Sequence, residues 1–164
     1  MINIKLISPR YADLRDFLLA LPAKMDTEGE CVYNGKRNLI KRFTAPDGEL
    51  LIVKRFHRPR FVNKFVYSWG IRKPKGVRAF TYASVLREHG VDTPEPIAYI
   101  EDRDWGILKE SWLITPEIPY KHLLYEMGDA EPEVYEPMAK ALAAFTAHMH
   151  DEGVLHKDYS PGNI

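Results

Sequence analysis

Two residues near the end of the chain, Asp158 and Asn163, have the types and spacing of a site that moves a proton and holds a metal ion. They lie in the segment HKDYSPGNI, residues 156–164. A carboxylate can accept or orient the proton of an attacking hydroxyl, and an amide oxygen five residues later can bind Mg²⁺. The alternative is an ordinary polar loop after a helix, because Asp, Ser, Pro, Gly and Asn all favour turns.

Segment 156–164 resembles the catalytic loop of protein-kinase-like phosphotransferases, whose pattern is H-x-D-x-x-x-x-N. The resemblance implies that Asp158 orients or deprotonates the acceptor hydroxyl and that Asn163 binds Mg²⁺ on the phosphates of ATP. His156 matches a position that is mainly structural in those enzymes. The resemblance therefore makes Asp158 a catalytic residue and Asn163 a metal ligand.

A lysine at the end of an apolar run supports the same interpretation. Lys54 closes the run LIVK, residues 51–54, which is similar to the V-A-I-K-type motif of the same enzymes. The resemblance implies that Lys54 contacts the α/β-phosphates of ATP and serves catalysis, and we count Ile52 among the nucleotide-binding residues. The alternative is an exposed strand lysine of the common kind.

Two further segments fall at expected nucleotide contacts. The turn at residues 35–38 occupies the place of the glycine-rich phosphate loop, but it holds one glycine where that loop has three. Two cations at its tip favour a phosphate cradle, and an ordinary hairpin turn is the alternative. Residues 117 and 118 fall where the hinge between lobes would offer backbone groups to adenine. The residues expected to bind nucleotide here are Gly35, Lys36, Arg37, Asn38, Glu117 and Ile118.

Four segments together are similar to the bacterial lipopolysaccharide kinases, which phosphorylate Kdo or heptose in the inner core. They are YNGKRN at 33–38, KRF at 54–56, TPEPIAY at 93–99 and the loop 156–164. The resemblance spans roughly residues 30–164. It implies ATP and Mg²⁺ as cofactors, and as partner a sugar hydroxyl on a small molecule or a glycolipid.

The chain departs from this pattern in two places. Active kinases of this fold usually pair the strand lysine with a glutamate of the next helix, but no Asp or Glu lies between Glu49 and Glu88. Spacing from Gly90 places that position at Thr81, and Glu88 lies about 10 Å further along the helix. The chain also ends before the Asp-Phe-Gly-type motif whose Asp holds Mg²⁺. We therefore expect the 164 residues alone to show negligible phosphotransfer.

Turn signals and apolar periodicity outline the elements that must position these residues. Asn34-Gly35 and Pro46-Asp47-Gly48 separate three β-like runs, and tight turns predict an antiparallel meander. The strands are predicted near 31–33, 39–44, 50–56, 97–100 and 106–115, and the helices over 8–20, 77–89, 122–127 and 133–152. In the last helix, Met138, Leu142, Phe145 and Met149 predict one buried stripe.

Strands with one inserted helix, followed by helices only, predict an α+β protein. Together with the resemblance, the order predicts a protein-kinase-like fold: an antiparallel β-sheet N-lobe with one helix, plus the first helices of a truncated helical C-lobe. The expected N-lobe is 1–116, comprising an N-terminal helix, the antiparallel sheet and the inserted helix. The expected second domain is 117–164, the hinge and the start of the C-lobe ending in the catalytic loop.

Composition excludes several other classes of protein. The 164 residues are 45% hydrophobic and 12% aromatic, enough to build a core and against a disordered chain. The single Cys31 cannot form an internal disulfide and favours a reducing compartment. Residues 1–23 hold no apolar stretch long enough to span a bilayer. We expect a cytoplasmic protein that does not bind nucleic acid.

The charge is zero overall but uneven along the chain. Residues 1–99 carry 18 Lys/Arg against 10 Asp/Glu, whereas residues 100–152 carry 4 against 12. Residues 50–87 hold ten Lys/Arg and no acid, interleaved with aromatic side chains that include Phe61, Phe65 and Trp69. The basic segment 54–78 suits an anionic membrane surface or a phosphorylated substrate, which would place the protein peripherally at the inner face of the cytoplasmic membrane. A solvated basic face is the alternative.

Two other functions remain open on the sequence. The absence of the helix acid favours a pseudokinase that binds a partner without catalysis. The run Ser160-Pro161-Gly162-Asn163 is more similar to small-molecule kinases than to Ser/Thr protein kinases, so another small-molecule kinase, such as an antibiotic phosphotransferase, is also consistent. Nucleotide-dependent phosphoryl transfer would separate an enzyme from a binding module.

The basic segment generates a first prediction. If it serves a membrane-embedded acceptor, the protein binds anionic vesicles at low salt, because each engaged Lys/Arg contributes about 1 kcal/mol. Binding falls steeply by a few hundred millimolar salt, where the Debye length is about 5 Å. Vesicle co-sedimentation compares wild type with the triple variant Lys64→Glu/Arg72→Glu/Lys73→Glu. Equal binding of the two proteins at low salt would rule out the membrane role.

Overall fold

The computed structural model describes residues 1–35, 38–56, 73–120, 124–128, 130–157 and 159–161. In chain order the described elements are β1 (Ile2–Ile7), a 3-10 helix (Pro9–Leu14), α1 (Arg15–Lys24), β2 (Glu30–Asn34), β3 (Asn38–Thr44), β4 (Leu50–Phe56), α2 (Lys75–Glu88), β5 (Ala98–Asp104), β6 (Ile107–Pro116), a second 3-10 helix (Leu124–Gly128) and α3 (Pro132–Asp151).

The described strands form one sheet in the order β1-β5-β6-β4-β3-β2, and every neighbouring pair is antiparallel. The predicted turn between β3 and β4 has Gly48 at φ +90°, with its N–H donated to Ala45 O at 2.9 Å. Asp47 Oδ1 accepts the N–H of Glu49 at 3.1 Å in the same turn. The predicted α+β class with an antiparallel sheet is confirmed.

Strand β1 was not predicted from the sequence. It pairs with β5 at the edge of the sheet, where Ile4 lies opposite Ile100. Ile2, Ile4 and Leu6 alternate with Asn3 and Lys5, which is the period-two pattern of a strand. The alternation was therefore visible in the sequence, but only over a single short run. The strand that pairs with it lies about a hundred residues away, and no local pattern indicates such non-local pairing.

The N-terminal helix differs from its prediction at both ends. A 3-10 helix covers Pro9–Leu14, and the α-helix runs over Arg15–Lys24 rather than ending near residue 20. Ser8, the first residue of the predicted helix, makes no capping bond, and its hydroxyl donates to Glu95 Oε1 at 3.0 Å. Tyr11 leaves helical geometry, is buried, and donates its hydroxyl to Glu49 at 3.1 Å. Hydrogen bonds to residues distant in sequence thus take the place of regular α-helical turns at the start of this helix.

The two faces of the sheet are covered by different helices. On one face, which we call the α1 face, apolar side chains of α1 and of the strands form the main core. Its buried members include Leu18, Leu21, Met25, Phe43, Leu51, Val53, Ile100, Trp112 and Ile114. Because side chains alternate along a strand, Lys54 and Phe56 point to the opposite face, which we call the α2 face.

Helix α2 contacts the α2 face through a glycine. A Cβ placed on Gly76 would lie 2.1 Å from a ring carbon of Tyr99 and 3.1 Å from one of Phe56. Tyr99 is fully buried, so its ring has little room to move away. Gly76 therefore permits the close approach of the first turn of α2 to the sheet. The helix spans Lys75–Glu88, near its predicted 77–89, and Gly90 follows at φ +70°.

The chain divides into two compact units. One comprises Met1–Arg87 and Thr93–Glu117, and the other comprises Glu88–Asp92 and Ile118–Ile164. Within the second unit, His148 Nε2 lies 3.0 Å from Gly90 O. Whether these units are the two functional lobes, divided at residues 116 and 117, stays a prediction.

Helix α3 lies in the second unit close to its predicted range. It spans Pro132–Asp151, against a prediction of 133–152. Of the predicted stripe, Met149 is buried, whereas Met138, Leu142 and Phe145 are half-buried. The prediction of a buried stripe is therefore confirmed at Met149, whereas the other three residues keep some exposure.

The contact at Gly76 gives a prediction for stability. Ala normally favours a helix by about 1 kcal/mol over Gly, yet we expect Gly76→Ala to lower the free energy of unfolding by about 1–3 kcal/mol through overpacking. Gly128→Ala is the matched control, since a Cβ there meets nothing within 4 Å. Chemical denaturation of the three proteins provides the measurement. A Gly76→Ala variant as stable as wild type would contradict the proposed close packing.

Candidate functional site

Lys54 lies near the centre of the sheet. It is on β4, the fourth strand in chain order and the third of the β2–β3–β4 meander, between Ile40 of β3 and Leu113 of β6. Its side chain is half-buried, and its Nζ lies 5.6 Å from the centre of the Phe56 ring. Ile52 shares this strand and, two residues away, this face of the sheet. The side chain of Lys54 therefore lies on the α2 face of the sheet.

The charge of Lys54 has no counter-ion in the part of the chain that the structure describes. Burial lowers the pKa of Lys54 below its usual value, and the positive charge of Lys75 lowers it further. Among the described residues, no carboxylate forms an ion pair with Lys54. Thr81 is half-buried within α2, and Glu88, the last residue of the helix, is exposed. A desolvated cation of this kind suits an anionic ligand.

Glu101, a carboxylate on the same face of the sheet, is already engaged. Glu101 of β5 lies opposite Ser111, which in turn lies opposite Phe56. Glu101 is 2% exposed and accepts hydrogen bonds from Tyr99 Oη at 2.8 Å and Arg103 Nε at 2.6 Å. These donors satisfy Glu101 and hold it within β5.

The β2–β3 hairpin closes tightly beside this site. Gly35 donates its N–H to Asn38 O at 3.0 Å, and Asn38 lies opposite Phe56. Because Ile40 lies opposite Lys54, the end of the hairpin is about 7 Å along β3 from the lysine. The hydrogen bond between Gly35 and Asn38 joins the two described residues at the end of the hairpin, and the choice between an ordinary turn and a phosphate cradle stays a prediction. Lys36 and Arg37 lie outside the described residues.

The predicted hinge begins with a residue anchored to the sheet. Glu117 donates its backbone N–H to Leu50 O at 2.8 Å, so this N–H is already used. Its side chain accepts from the Arg42 guanidinium, with Nε at 3.0 Å, and Arg42 also binds Glu30 at 2.7 Å. The carboxylate of Glu117, and then that of Glu30, raise the pKa of Arg42. Ile118, the next predicted hinge residue, is exposed.

The segment around the predicted catalytic loop is anchored to α3. Tyr159 Oη forms a short hydrogen bond with Thr146 Oγ1, which also donates to Leu142 O at 2.6 Å. The rings of His156 and Tyr159 meet edge to face, with centroids 5.7 Å apart. Asp158 and Asn163 lie outside the described residues, so the structure is silent on their placement. It does place the neighbours of Asp158 on both sides.

Sequence reasoning missed several residues of this arrangement. Lys75 stands in the same acid-free run as Lys54, but only in the folded protein does its charge act on Lys54. Tyr159 and Thr146 are 13 residues apart and meet only because the chain folds back on α3. The Arg42–Glu117 pair joins residues 75 apart in sequence. No local pattern announces such pairs.

Two absences can be stated for the described residues. No group of three or more His, Cys, Asp or Glu side chains there could hold a metal ion. No helix in that part of the chain is both long and apolar enough to cross a membrane.

A family model for the lipopolysaccharide kinase (Kdo/WaaP) family matches residues 25–164. The chain belongs to this family. This membership confirms the resemblance drawn from the sequence motifs.

The fold agrees with the family assignment. The chain is similar to a solved structure of WaaP in complex with acyl carrier protein, with a TM-score of 0.55 and 20% sequence identity. The match covers 90% of this chain and 56% of the WaaP chain, so the present chain spans little more than half the length of that protein. The predicted protein-kinase-like fold is confirmed. No curated protein matches the sequence.

The environment of Lys54 generates a prediction about pH. Because burial and Lys75 both lower its pKa, the neutral amine appears at a lower pH than the usual 10.5. A lysine with a depressed folded-state pKa opposes folding while protonated, so its contribution to stability improves as pH rises through that pKa. Competitive amine acylation followed by mass spectrometry should give Lys54 a midpoint below 10.5.

The variant Lys75→Met serves as the control for this measurement. Removing that positive charge should raise the Lys54 midpoint, yet leave it below 10.5, because burial is the larger cause. A midpoint for Lys54 at or above 10.5 in wild type would contradict the described environment.

Proposed function

We propose that this protein is an ATP-dependent phosphotransferase of the lipopolysaccharide-kinase type. It transfers the γ-phosphate of ATP to a hydroxyl of Kdo or heptose in the inner core. The observation that carries the proposal is Lys54, a half-buried cation without an acidic partner among the described residues, at the centre of a sheet with the protein-kinase-like fold. Family membership supports the same class of reaction.

The residues of the site take separate roles in this proposal. Lys54 holds the α/β-phosphates, since its uncompensated charge favours an anion. The hairpin residues Gly35 and Asn38 lie beside those phosphates. The base of the nucleotide lies against Ile52 and the hinge, where Ile118 offers its backbone and Glu117 is held in place by Arg42. Lys36 and Arg37, at the hairpin tip, add positive charge to the same cradle.

Asp158 accepts or orients the proton of the sugar hydroxyl in this proposal. Its role rests on its place in the loop pattern and on the anchoring of Tyr159, the next residue, to Thr146. Asn163 is proposed as a ligand of Mg²⁺ on the same sequence grounds. When bound, ATP and Mg²⁺ supply the phosphoryl group and neutralise charge on it. The protein contributes position and electrostatic stabilisation rather than a covalent intermediate.

The acceptor and the location follow from the family and the charge pattern. A sugar on a membrane-embedded glycolipid would bring the enzyme to the inner face of the cytoplasmic membrane. The basic segment 54–78 is the proposed contact with that surface, and its residues 57–72 lie outside the described ones. Attachment would therefore be peripheral and electrostatic.

A pseudokinase is the second candidate, favoured by one observation. Lys54 lacks the carboxylate partner that an active kinase of this fold usually places on the following helix, where this chain has Thr81. Such a protein would bind nucleotide and a partner without transferring phosphate. Another small-molecule kinase, such as an antibiotic phosphotransferase, would differ only in its acceptor.

Phosphoryl transfer by the full-length protein tests these proposals. Labelled ATP is offered with inner-core glycolipids ending in Kdo or in heptose, and with an aminoglycoside as a competing acceptor class. We expect transfer to the glycolipids. Nucleotide binding without transfer to any acceptor would favour the pseudokinase, and transfer to the aminoglycoside alone would favour the antibiotic phosphotransferase.

The role of Asp158 is tested in the same assay. We expect Asp158→Ala to lower kcat by about 10²–10⁴-fold, the usual contribution of a general base, and to leave the Kd for nucleotide within about twofold. Lys157→Ala is the matched control, because it alters the adjacent side chain, for which we propose no role. Undiminished kcat in Asp158→Ala would remove Asp158 from the mechanism.

A further inference from the structure

The first turn of α2 carries a cation, not an acid, and the charge of this cation acts on Lys54. Gly76 lies close against Phe56, and the Lys54 ammonium lies 5.6 Å from the centre of that same ring. Lys75, the first residue of α2, immediately precedes Gly76. Lys75 is exposed, and its positive charge acts on Lys54.

Nothing in the described part of α2 offsets these charges near the ring. From Lys75 to Arg87 the helix contains no acid, and Glu88 is about 20 Å from Lys75 along the helix axis. Glu101, on the α2 face of the sheet, is occupied by Tyr99 and Arg103. The site therefore keeps an excess of positive charge.

The position of Lys75 is also unfavourable for the helix itself. The first turn of a helix carries partial positive charge and favours Asp or Glu, yet α2 has no acid there. A lysine at this position meets the helix dipole and a second lysine, both repulsive. A bound anion would relieve the two repulsions together.

We propose that Lys75 is the second cation of the phosphate site, acting with Lys54. In this arrangement the phosphate chain of a nucleoside di- or triphosphate supplies the negative charge that a helix glutamate supplies in other kinases of this fold. The inference rests on the proposed function, because it assigns a ligand residue to the same site. It also accounts for Thr81: with the phosphates as counter-ion, Lys54 does not require a carboxylate on α2.

Charge reversal at Lys75 distinguishes this inference from the usual kinase arrangement. Lys75→Glu would replace the positive charge that acts on Lys54 with a negative one. If α2 needs an acid, this variant binds nucleotide as well as or better than wild type. If Lys75 is a phosphate ligand, the substitution removes one attraction for the phosphates and adds a repulsion. The new carboxylate also offsets the positive charge of Lys54.

The measurement is isothermal titration calorimetry on the full-length protein with ADP, tripolyphosphate and adenosine as probes. We expect Lys75→Glu to weaken the binding of ADP and tripolyphosphate by about tenfold or more, with adenosine changed by less than about twofold. The affinity of Lys75→Ala for ADP and tripolyphosphate should fall between those of wild type and Lys75→Glu. Lys73→Glu is the matched control, since it makes the same charge change at an exposed residue before the helix.

Several outcomes decide between the possibilities. Equal or tighter binding of ADP by Lys75→Glu overturns the inference, and so does unchanged affinity in Lys75→Ala should the charge-reversed variant fail to fold. Equal weakening in Lys73→Glu would also overturn it, by revealing an unspecific charge effect. Failure of the proposed function looks different: wild type binds tripolyphosphate in a Lys75-dependent manner but neither prefers ADP nor transfers phosphate.

Discussion

The contact of Gly76 with Tyr99 and Phe56 is the constraint on which the candidate site depends. It sets the first turn of α2 against the same ring that the Lys54 ammonium approaches. A side chain at this position would hold the helix away from the sheet, since the neighbouring Tyr99 is fully buried. The close packing therefore does more than stabilise the fold: it fixes the first turn of α2, which carries Lys75, against the ring that Lys54 approaches.

On the α2 face, Glu101 has polar and charged partners, whereas Lys54 has no acidic partner among the described residues. Burial, then the nearby Glu101, raise the pKa of Tyr99, so its hydroxyl remains a donor to that carboxylate. Arg103 completes the pairing of Glu101, and its pKa is raised by the same carboxylate. Lys54 receives no such compensation among the described residues. A buried charge without a partner is costly for folding, and functional sites are where proteins commonly retain one.

Each unit also anchors a chain segment that the sequence predicts to be functional. In the first, Arg42 and the backbone of Leu50 hold Glu117, so the sheet determines where the predicted hinge begins. In the second, the Thr146–Tyr159 hydrogen bond ties the residue after Asp158 to α3. These anchors restrict side-chain and backbone freedom before any ligand binds, and such preorganisation lowers the entropic cost of binding and catalysis.

The sequence by itself determined the antiparallel sheet, the approximate ranges of α2 and α3, the strand position of Lys54 and the family resemblance. These rest on local signals, namely tight turns, apolar periodicity and short motifs. Only the tertiary structure decided the pairing of β1 with β5, the irregular start of the N-terminal helix, the engagement of Glu101 and the effect of the Lys75 charge on Lys54. Each of these joins residues distant in sequence, and their energies depend on packing and burial, which no local pattern encodes.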